Sequence, residues 1–572
     1  MSASSKDDAA PSISYTEQAP DRRNIPDSVL IGTHPFSAAR LWNREPLDEF
    51  YREALEKYPN ETSIDPVEEL KLRRKIDRLI IPCLAVCYAF YYIDKTTLSY
   101  AAIFGIKTDL KLHGTEYSWL SSLFYFGWLA WGLPSNLLMQ RSPSGKYLAI
   151  NIFLWGVLLM AQAASRNFTE LAVLRILSGA FEAIADPAFM LITTMFYRRS
   201  EQPSRISMWY AANGVGVAGG GLLGYAIGHI KGSLASWKYE FLIVGSLCSL
   251  WGFVLFFVLP DSPATARALT REERLLAVGR LRENQTGVDN KKFKWDQFRE
   301  TFLDPKSWLF FLLGLVGNIP NGGISNFSTL IIQGLGFDTL QTTLLGIPQG
   351  ALVCIWIGLG AYLNGRLPPN SRTLVCILFM LPTIAGTLGF LLAPQDASVG
   401  RLICYYLTGS YQSSFVLGLS LITSNTAGQT KKQLTSALIW LGACVGNISG
   451  PFFYRTQDAP TYHLGIGSML VSNCLEVLIF VALRVYLSYQ NRKRDAAADS
   501  LGALAADSGA KQGSTTMTGD VNDAKDVKDM KDMKDAKDSE SLGGLSAFRP
   551  HENETAFADM TDLQNVNFRY VY

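Results

Sequence analysis

Long apolar stretches are the sequence feature that most constrains this chain. A bilayer core about 30 Å thick requires roughly 20 predominantly apolar residues per helix. Twelve such stretches lie between residues 78 and 488, near 78–103, 116–139, 146–165, 170–196, 206–230, 239–259, 307–333, 341–364, 372–392, 399–422, 434–453 and 463–488. Numbered in this order as spans 1 to 12, they predict an all-α polytopic membrane protein.

Charged residues divide these stretches into two sets. They make up 18% of the chain, below the roughly 25% of a soluble domain, and they crowd outside the spans. The sequence predicts a largely disordered N-terminal extension (1–77), a six-helix half (78–260), a linker (261–306), a second six-helix half (307–489) and a disordered tail (490–572).

The loop charges predict the orientation. Arg and Lys precede span 1 and recur in the loops after spans 2, 4, 8, 10 and 12, whereas the alternate loops carry fewer. By the positive-inside rule, both termini and the linker are expected to be cytoplasmic. We expect a multi-pass protein of the plasma membrane with lipid as its surroundings.

The linker and the tail differ in pattern. In the linker, Leu269, Leu275, Leu276, Val278 and Leu281 recur at helical spacing among Arg and Glu. This predicts an amphipathic helix along the cytoplasmic face, which either regulates or merely connects. The tail, with DAKDVKDMKDMKDAKD at 523–538, predicts disorder or a solvated helix.

Ionisable residues inside two spans are the main functional signal, because a charge in the bilayer costs several kcal/mol. Asp94 and Lys95 lie deep in span 1 or near its outer third, and Arg175, Glu182 and Asp186 lie in span 4. Seven residues place Arg175 and Glu182 about two turns apart on nearly one face. Arg suits a substrate carboxylate, and a desolvated carboxyl suits proton exchange. Alternatively, these groups pair to hold the bundle together. Asp186 either shares a proton with Glu182 or caps the break at Pro187.

Polar and aromatic residues in the second half are candidates for lining a cavity. The stretch GNIPNGGISNFS around Pro320 should break or bend span 7 and free backbone groups toward a cavity. The candidate substrate-binding residues of this half are Asn318, Asn321, Tyr405, Tyr411, Trp440 and Asn447.

The sequence lacks the motifs that are typical of several other classes of function. It contains no HExxH, GxSxG or Walker motif, so we expect neither an enzyme nor ATP-driven transport. The eight cysteines show no metal-ligand spacing, and we expect no metal and no cofactor. A net charge of +2 gives no case for nucleic acid. The glycine-rich stretch 213–224 is interpreted as close helix contact rather than a phosphate loop.

Several ordered stretches between about residues 70 and 490 resemble the major facilitator superfamily, and within it the fungal allantoate permease group of anion:cation symporters. They include IDKTTLSYAAIFGIKTDLKLHG (93–114), LPSNLLMQRSP (133–143), LRILSGAFEA (174–183), FVLPDSP (257–263), IPNGG (319–323) and GNISGP (446–451). The terminal TDLQNVNFRYVY is similar to the group's C-terminal signature.

The resemblance implies proton-coupled uptake of a small organic anion or ureide by alternating access, without nucleotide and with a monomer expected. It assigns substrate binding and proton coupling to Asp94, Lys95, Arg175 and Glu182. Lys95 stands where the family usually has Arg, Gly132 where it commonly has Glu, and Asp186 where it has a small residue, so the substrate is left open. The alternatives are a fungal metabolite exporter and a transporter-like nutrient receptor.

Overall fold

The computed structural model describes residues 50, 53, 54, 56–58, 64–198, 201–281, 294–368, 370–514, 560–565 and 568–572. All regular structure within these residues is helical, which confirms the all-α prediction. Helices occupy each predicted span: Pro66–Ile103, Glu116–Gln140, Ser144–Gln162, Phe168–Glu182 with Ala185–Phe196, Gln202–Tyr210 with Ala212–Gly228, Ser236–Val258, Pro305–Gly334, Thr339–Leu344 with Gly346–Arg366, Arg372–Leu392, Ser398–Leu407 with Tyr411–Asn425, Gln429–Ser449, and His463–Ser514. Within the described residues, nine segments are long and apolar enough to cross a membrane; those of spans 2, 5 and 10 fall outside that criterion.

The first span of each half begins in the same way. Asp65 precedes Pro66, and its side chain accepts a hydrogen bond from the Val67 backbone N–H. Asp304 precedes Pro305 and accepts from the Lys306 backbone N–H at 3.0 Å. An acidic cap satisfies a free N–H, and proline at the first helical position has none to satisfy.

Prolines act differently in two spans near the centre of the bundle. Span 4 is interrupted at Ala183 and Ile184, just before Pro187, so Glu182 ends one helix and Asp186 lies in the first turn of the next. Span 7, in contrast, stays one continuous helix from Pro305 to Gly334. Of the predicted break or bend at Pro320, the break is therefore wrong: the helix continues through the proline, and Asn318 Nδ2 donates to the Gly314 carbonyl at 2.8 Å within it.

Glycines bring spans 5 and 8 into backbone contact. A Cβ at Gly214 would lie 2.3 Å from the Gly350 carbonyl oxygen, and a Cβ at Gly350 would lie 2.3 Å from the Gly214 carbonyl oxygen. Only residues without a side chain fit this crossing. The interpretation of 213–224 as a close helix contact is confirmed.

The two halves meet firmly at one end of the bundle. We call the end where span 1 begins and span 12 leaves the bundle the termini end, and the opposite one the far end. At the far end Ser99 and Thr329 hydroxyls lie 2.9 Å apart, and Tyr117 donates to the Asn326 carbonyl at 2.7 Å. Ser122 donates to the Ile448 carbonyl at 2.7 Å. Spans 1 and 2 are thereby joined to spans 7 and 11.

The linker divides between the halves. Its first helix, Arg271–Gly279, packs its apolar face on Phe50 and Ala54, and Glu273 pairs with Lys75 of span 1 at 2.6 Å. Residues 282–293 of the linker lie outside the described residues. A second helix, Trp295–Leu303, packs on span 11. The amphipathic face is thus covered by the protein's own N-terminal segment.

The region 490–572 differs from the expected disorder at two places. The helix of span 12 continues to Ser514. Residues 560–565 and 568–572 pack against the second half, with Thr561, Asp562 and Tyr570 at most 1% exposed. The lysine-rich repeat at 523–538 lies outside the described residues.

Candidate functional site

A cavity lies between the halves, on the termini side of the far-end contacts, and the empty space within it and at its opening is about 550 Å³. Spans 1, 2, 4 and 5 line it on one side and spans 7, 10 and 11 on the other. It brings together seven of the eleven candidate residues: Lys95, Asp186, Asn318, Asn321, Tyr411, Trp440 and Asn447.

A chain of hydrogen bonds between polar side chains, most of them amides, lines the cavity on the side of the second half. Asn447 Nδ2 donates to Asn318 Oδ1 at 3.2 Å, and Asn321 Nδ2 donates to Asn447 Oδ1 at 2.8 Å. The Tyr411 hydroxyl donates to Asn321 Oδ1 at 3.1 Å and accepts from Gln412 Nε2 at 2.8 Å. A hydrogen-bonded network of this kind fixes its members in place and presents both donors and acceptors to a polar ligand.

The network continues into the first half. Asn213 of span 5 donates to Gln412 Oε1 at 3.3 Å. A ligand that competes for the hydrogen bonds of Gln412 would therefore disturb contacts of both halves.

Aromatic side chains form the opposite wall. Tyr88, Tyr91 and Tyr92 line the cavity, and the Lys95 ammonium lies 4.1 Å from the ring centroid of Tyr91 and 4.9 Å from that of Tyr92. The ring faces attract the cation. Since residues 88, 91, 92 and 95 share one face of a helix, the spacing in YAFYYIDK could have revealed this wall.

A smaller cavity adjoins the first and contains two further candidates. Asp94, Lys95 and Arg175 line it, together with Phe124 and Asn326. Asp94 Oδ2 accepts from Trp155 Nε1 at 3.1 Å. The Arg175 guanidinium lies 5.0 Å from the centroid of the Phe124 ring, and its Nε donates to the Leu120 carbonyl at 3.4 Å.

Several ionisable atoms of this region have no partner within the described part of the chain. They are Asp94 Oδ1, Arg175 Nη1 and both carboxyl oxygens of Glu182. All three residues are at most 3% exposed. The pairing of Arg175 with Glu182 as a purely structural bridge is thus not made in this conformation. Polar groups without hydrogen-bond partners in a buried site are costly.

Two candidates lie outside both cavity linings, as far as the described residues extend. Glu182 is buried and interacts electrostatically with Asp94, Lys95, Arg175 and Asp186. Tyr405 is buried nearer the far end, its ring 6.2 Å from that of Tyr406.

The sequence comparison identifies the family. The profile of the Major Facilitator Superfamily matches residues 84–451. The chain belongs to the Major Facilitator Superfamily. An uncharacterised transporter of Schizosaccharomyces pombe is 41% identical over 74% of this chain and 80% of its own length.

A second relative narrows the group within the superfamily. Allantoate permease of Saccharomyces cerevisiae is 32% identical over 89% of this chain and 88% of its own length. This confirms the resemblance to the allantoate permease group, and this superfamily member is a multi-pass membrane transporter.

Solved structures agree on the fold. A D-xylose-proton symporter superposes with a TM-score of 0.52 at 14% identity, covering 71% of this chain and 96% of the symporter. That likeness confirms the major facilitator fold.

Proposed function

We propose that this transporter carries a small organic anion together with protons by alternating access. The observation that carries the proposal is the group of ionisable residues beside the inter-half cavity, in which Asp94 Oδ1, Arg175 Nη1 and both Glu182 carboxyl oxygens have no hydrogen-bond partner within the described residues. Two cations, Lys95 and Arg175, and three carboxyl groups, Asp94, Glu182 and Asp186, share one buried region.

The charge balance of these five groups couples the binding of the proton to the binding of the anion. With all five groups ionised, the region carries a net charge of −1, which repels an anion. One proton makes it neutral, and a second makes it +1. Because uncompensated charge is expensive in a low-dielectric site, proton binding favours anion binding, and the anion in turn favours the proton. This reciprocity is what symport requires.

The residues are assigned distinct roles. Lys95 and Arg175 bind the anionic group, with Arg175 offering a planar fork to a carboxylate. Glu182 carries the coupled proton, and Asp94 and Asp186 adjust the charge around it. Asn318, Asn321, Tyr411, Trp440 and Asn447 contact the rest of the substrate.

The relatives support this substrate class. Allantoate, which gives its name to a relative 32% identical to this chain, is a carboxylate with amide groups. The amide network and the two cations provide complementary partners for both parts of such a molecule. With the termini cytoplasmic, as the loop charges predict, the closed far end faces outward and this conformation serves release into the cytoplasm of a plasma-membrane importer.

Flux into proteoliposomes tests the proposal. Radiolabelled allantoate and a panel of short carboxylates are offered with an inward proton gradient, without a gradient, and with a protonophore. We expect accumulation of at least one anion only with the gradient intact. Accumulation that ignores the gradient would overturn proton coupling, and binding without flux would favour the receptor alternative.

A further inference from the structure

The last residues of the chain occupy a groove at the termini end of the second half. We call residues 560–565 and 568–572 the terminal segment. Its contacts reach Lys306 of span 7, Arg372 of span 9, Asn425 of span 10, Lys431 of span 11 and Asn491 of span 12. One short peptide thus touches five of the six spans of this half.

A buried carboxylate lies at the centre of the groove. Asp562 Oδ2 lies 2.5 Å from Lys306 Nζ, and Asp562 Oδ1 lies 3.0 Å from Lys431 Nζ. Tyr570 OH donates to the same carboxylate at 2.7 Å. The side chains of Asp562 and both lysines are fully buried. Because a buried charge needs a counter-charge, each lysine depends on the acids around it.

Counting the buried charges shows how the terminal segment stabilises the two lysines. Without Asp562, the two buried lysines would share one fully buried acid, Asp304, and the partly exposed Glu300. With Asp562 the buried charges balance. Burial raises the pKa of Asp562, but the two lysines and the Tyr570 hydroxyl outweigh it, so the pKa lies below its ordinary value.

The groove also recognises the backbone of the segment. Asn491 donates to the Tyr570 carbonyl at 2.8 Å and accepts from its N–H at 2.9 Å. Asn425 does the same with Val571, both at 2.7 Å. The Arg372 N–H donates to the Tyr572 carbonyl at 3.2 Å. Paired amide contacts of this kind hold an extended peptide in one register.

Two arginines of the second half lie close to aromatic rings of the terminal segment. Arg494 lies 4.5 Å from the centroid of the Tyr570 ring, and Arg484 lies 5.1 Å from that of Tyr572. The groove thus holds one acidic side chain and two tyrosine rings of the terminal segment.

From these contacts we propose that the groove is a peptide-binding site for the chain's own terminal segment, which clasps the termini ends of the second half into one unit. The 45 residues 515–559 separate the segment from the helix of span 12, so contacts in the groove rather than chain continuity define its place. The proposal does not depend on which substrate is carried.

Removal and return of the peptide test the clasp. A protein ending at residue 559 should melt about 5–10 °C below the full chain. A synthetic peptide of residues 559–572 should bind it and restore the melting temperature. The same peptide with Asp562→Asn should bind at least about 100-fold more weakly. An unchanged melting temperature, or equal binding of the two peptides, would overturn the proposal.

Full-length variants keep the test decisive if the shortened protein does not fold. Asp562→Asn should lower the melting temperature, and adding Lys306→Met should recover part of the loss because it restores the charge balance. Asp495→Asn is the matched control, since that carboxylate pairs with Arg569 at 3.1 Å but is 59% exposed. Equal effects of the two Asp→Asn changes would contradict the clasp. These thermal measurements stand even if no anion flux is found.

Discussion

At the scale of single residues, the chain offers a matched pair of buried carboxyl groups. Glu182 and Glu240 are 2% and 0% exposed, and none of their four carboxyl oxygens has a hydrogen-bond partner within the described residues. Only Glu182 adjoins the cavity site and interacts with Asp94, Lys95 and Arg175. The comparison therefore separates a coupling role from burial alone.

We expect Glu182→Gln to abolish proton-driven uptake while exchange of substrate across the membrane continues. The amide mimics the protonated carboxyl, so the anion still binds but no proton is carried. Driven uptake and counterflow in proteoliposomes measure the two activities. Glu240→Gln should leave their ratio unchanged; undiminished driven uptake in Glu182→Gln would remove that residue from the coupling.

Two arginines form a second matched pair. Arg175 lies over the Phe124 ring and donates to the Leu120 carbonyl. Arg401 lies 4.4 Å from the centroid of the Phe390 ring and donates to the Phe390 carbonyl at 3.4 Å. Both are 3% exposed, yet only Arg175 lines a cavity of the site.

Arg175→Ala should weaken anion binding by about 2–4 kcal/mol, because a buried charge-assisted contact is lost. Isothermal titration with the transported anion gives the Kd. Arg401→Ala has the same loss of packing and should leave the Kd near that of the unmodified protein. If both variants bind equally well, Arg175 is a packing residue.

Much of the site could be predicted from charge alone, because a membrane span makes every ionisable residue conspicuous. Lys95, Asp94 and Arg175 were found in this way, and the structure places them on adjoining cavities. The wall of Tyr88, Tyr91 and Tyr92 was missed, because aromatic residues in spans are common and their direction depends on how helices rotate. Tyr405 lies outside both cavity linings, since the sequence predicts its span but not the direction of its ring.

At the scale of helices, the crossing of spans 5 and 8 gives a direct prediction. Gly350→Val places a side chain against the Gly214 carbonyl, whereas a Cβ at Gly358 of the same helix meets nothing within 4 Å. We expect Gly350→Val to destabilise the protein by about 1–3 kcal/mol, seen as a lower melting temperature.

Gly358→Val is the control, since it changes helix propensity equally without the clash. Similar melting temperatures for the two variants would mean that the helices can separate at no cost.

Helix positions were predictable because hydropathy depends on composition, whereas breaks depend on packing. Pro187 interrupts span 4, but Pro320 is accommodated within Pro305–Gly334. The terminal segment shows a different reason for error. It is too short and polar to suggest a fold by itself, and its partner Lys306 lies 256 residues away in the chain.

The acid response of the terminal segment follows from its central carboxylate. Asp562 faces Lys306, Lys431 and Tyr570, and its pKa is lowered in the folded state. Its contribution to stability is then complete above the ordinary aspartate pKa of about 3.9 and disappears as the pH falls through the lower folded value.

The melting-temperature difference between the unmodified protein and Asp562→Asn should therefore be constant from about pH 8 to 5 and should close only below about pH 4. Melting curves across this range measure it. A difference that closes between pH 5 and 7 would show that another group controls the clasp.

At the scale of the whole molecule, each half is held together at the termini end by its own attachments. In the first half, Glu273 of the linker pairs with Lys75, and Arg280 pairs with Glu201 at 2.5 Å. In the second half, Glu300 of the linker and Asp562 of the terminal segment meet Lys431. Two separately braced bodies can rock against each other as units, which alternating access requires.

The far-end contacts are the place where such rocking must separate the halves. Ser99 and Thr329 lie on opposite halves with hydroxyl oxygens 2.9 Å apart, and Thr329 also donates to the Ser99 carbonyl at 2.6 Å. Movement of the two halves apart at this end must break these contacts.

Because these side-chain oxygens are so close, we expect cysteines at the two positions to form a disulfide on oxidation. Oxidation of Ser99→Cys/Thr329→Cys should hold the far end closed and reduce uptake to background. Reductant should restore it, because only the covalent bond prevents opening. Each single cysteine variant, oxidised in the same way, should remain active, which also controls for the eight native cysteines. Full uptake by the crosslinked protein would mean that the halves need not part at this end.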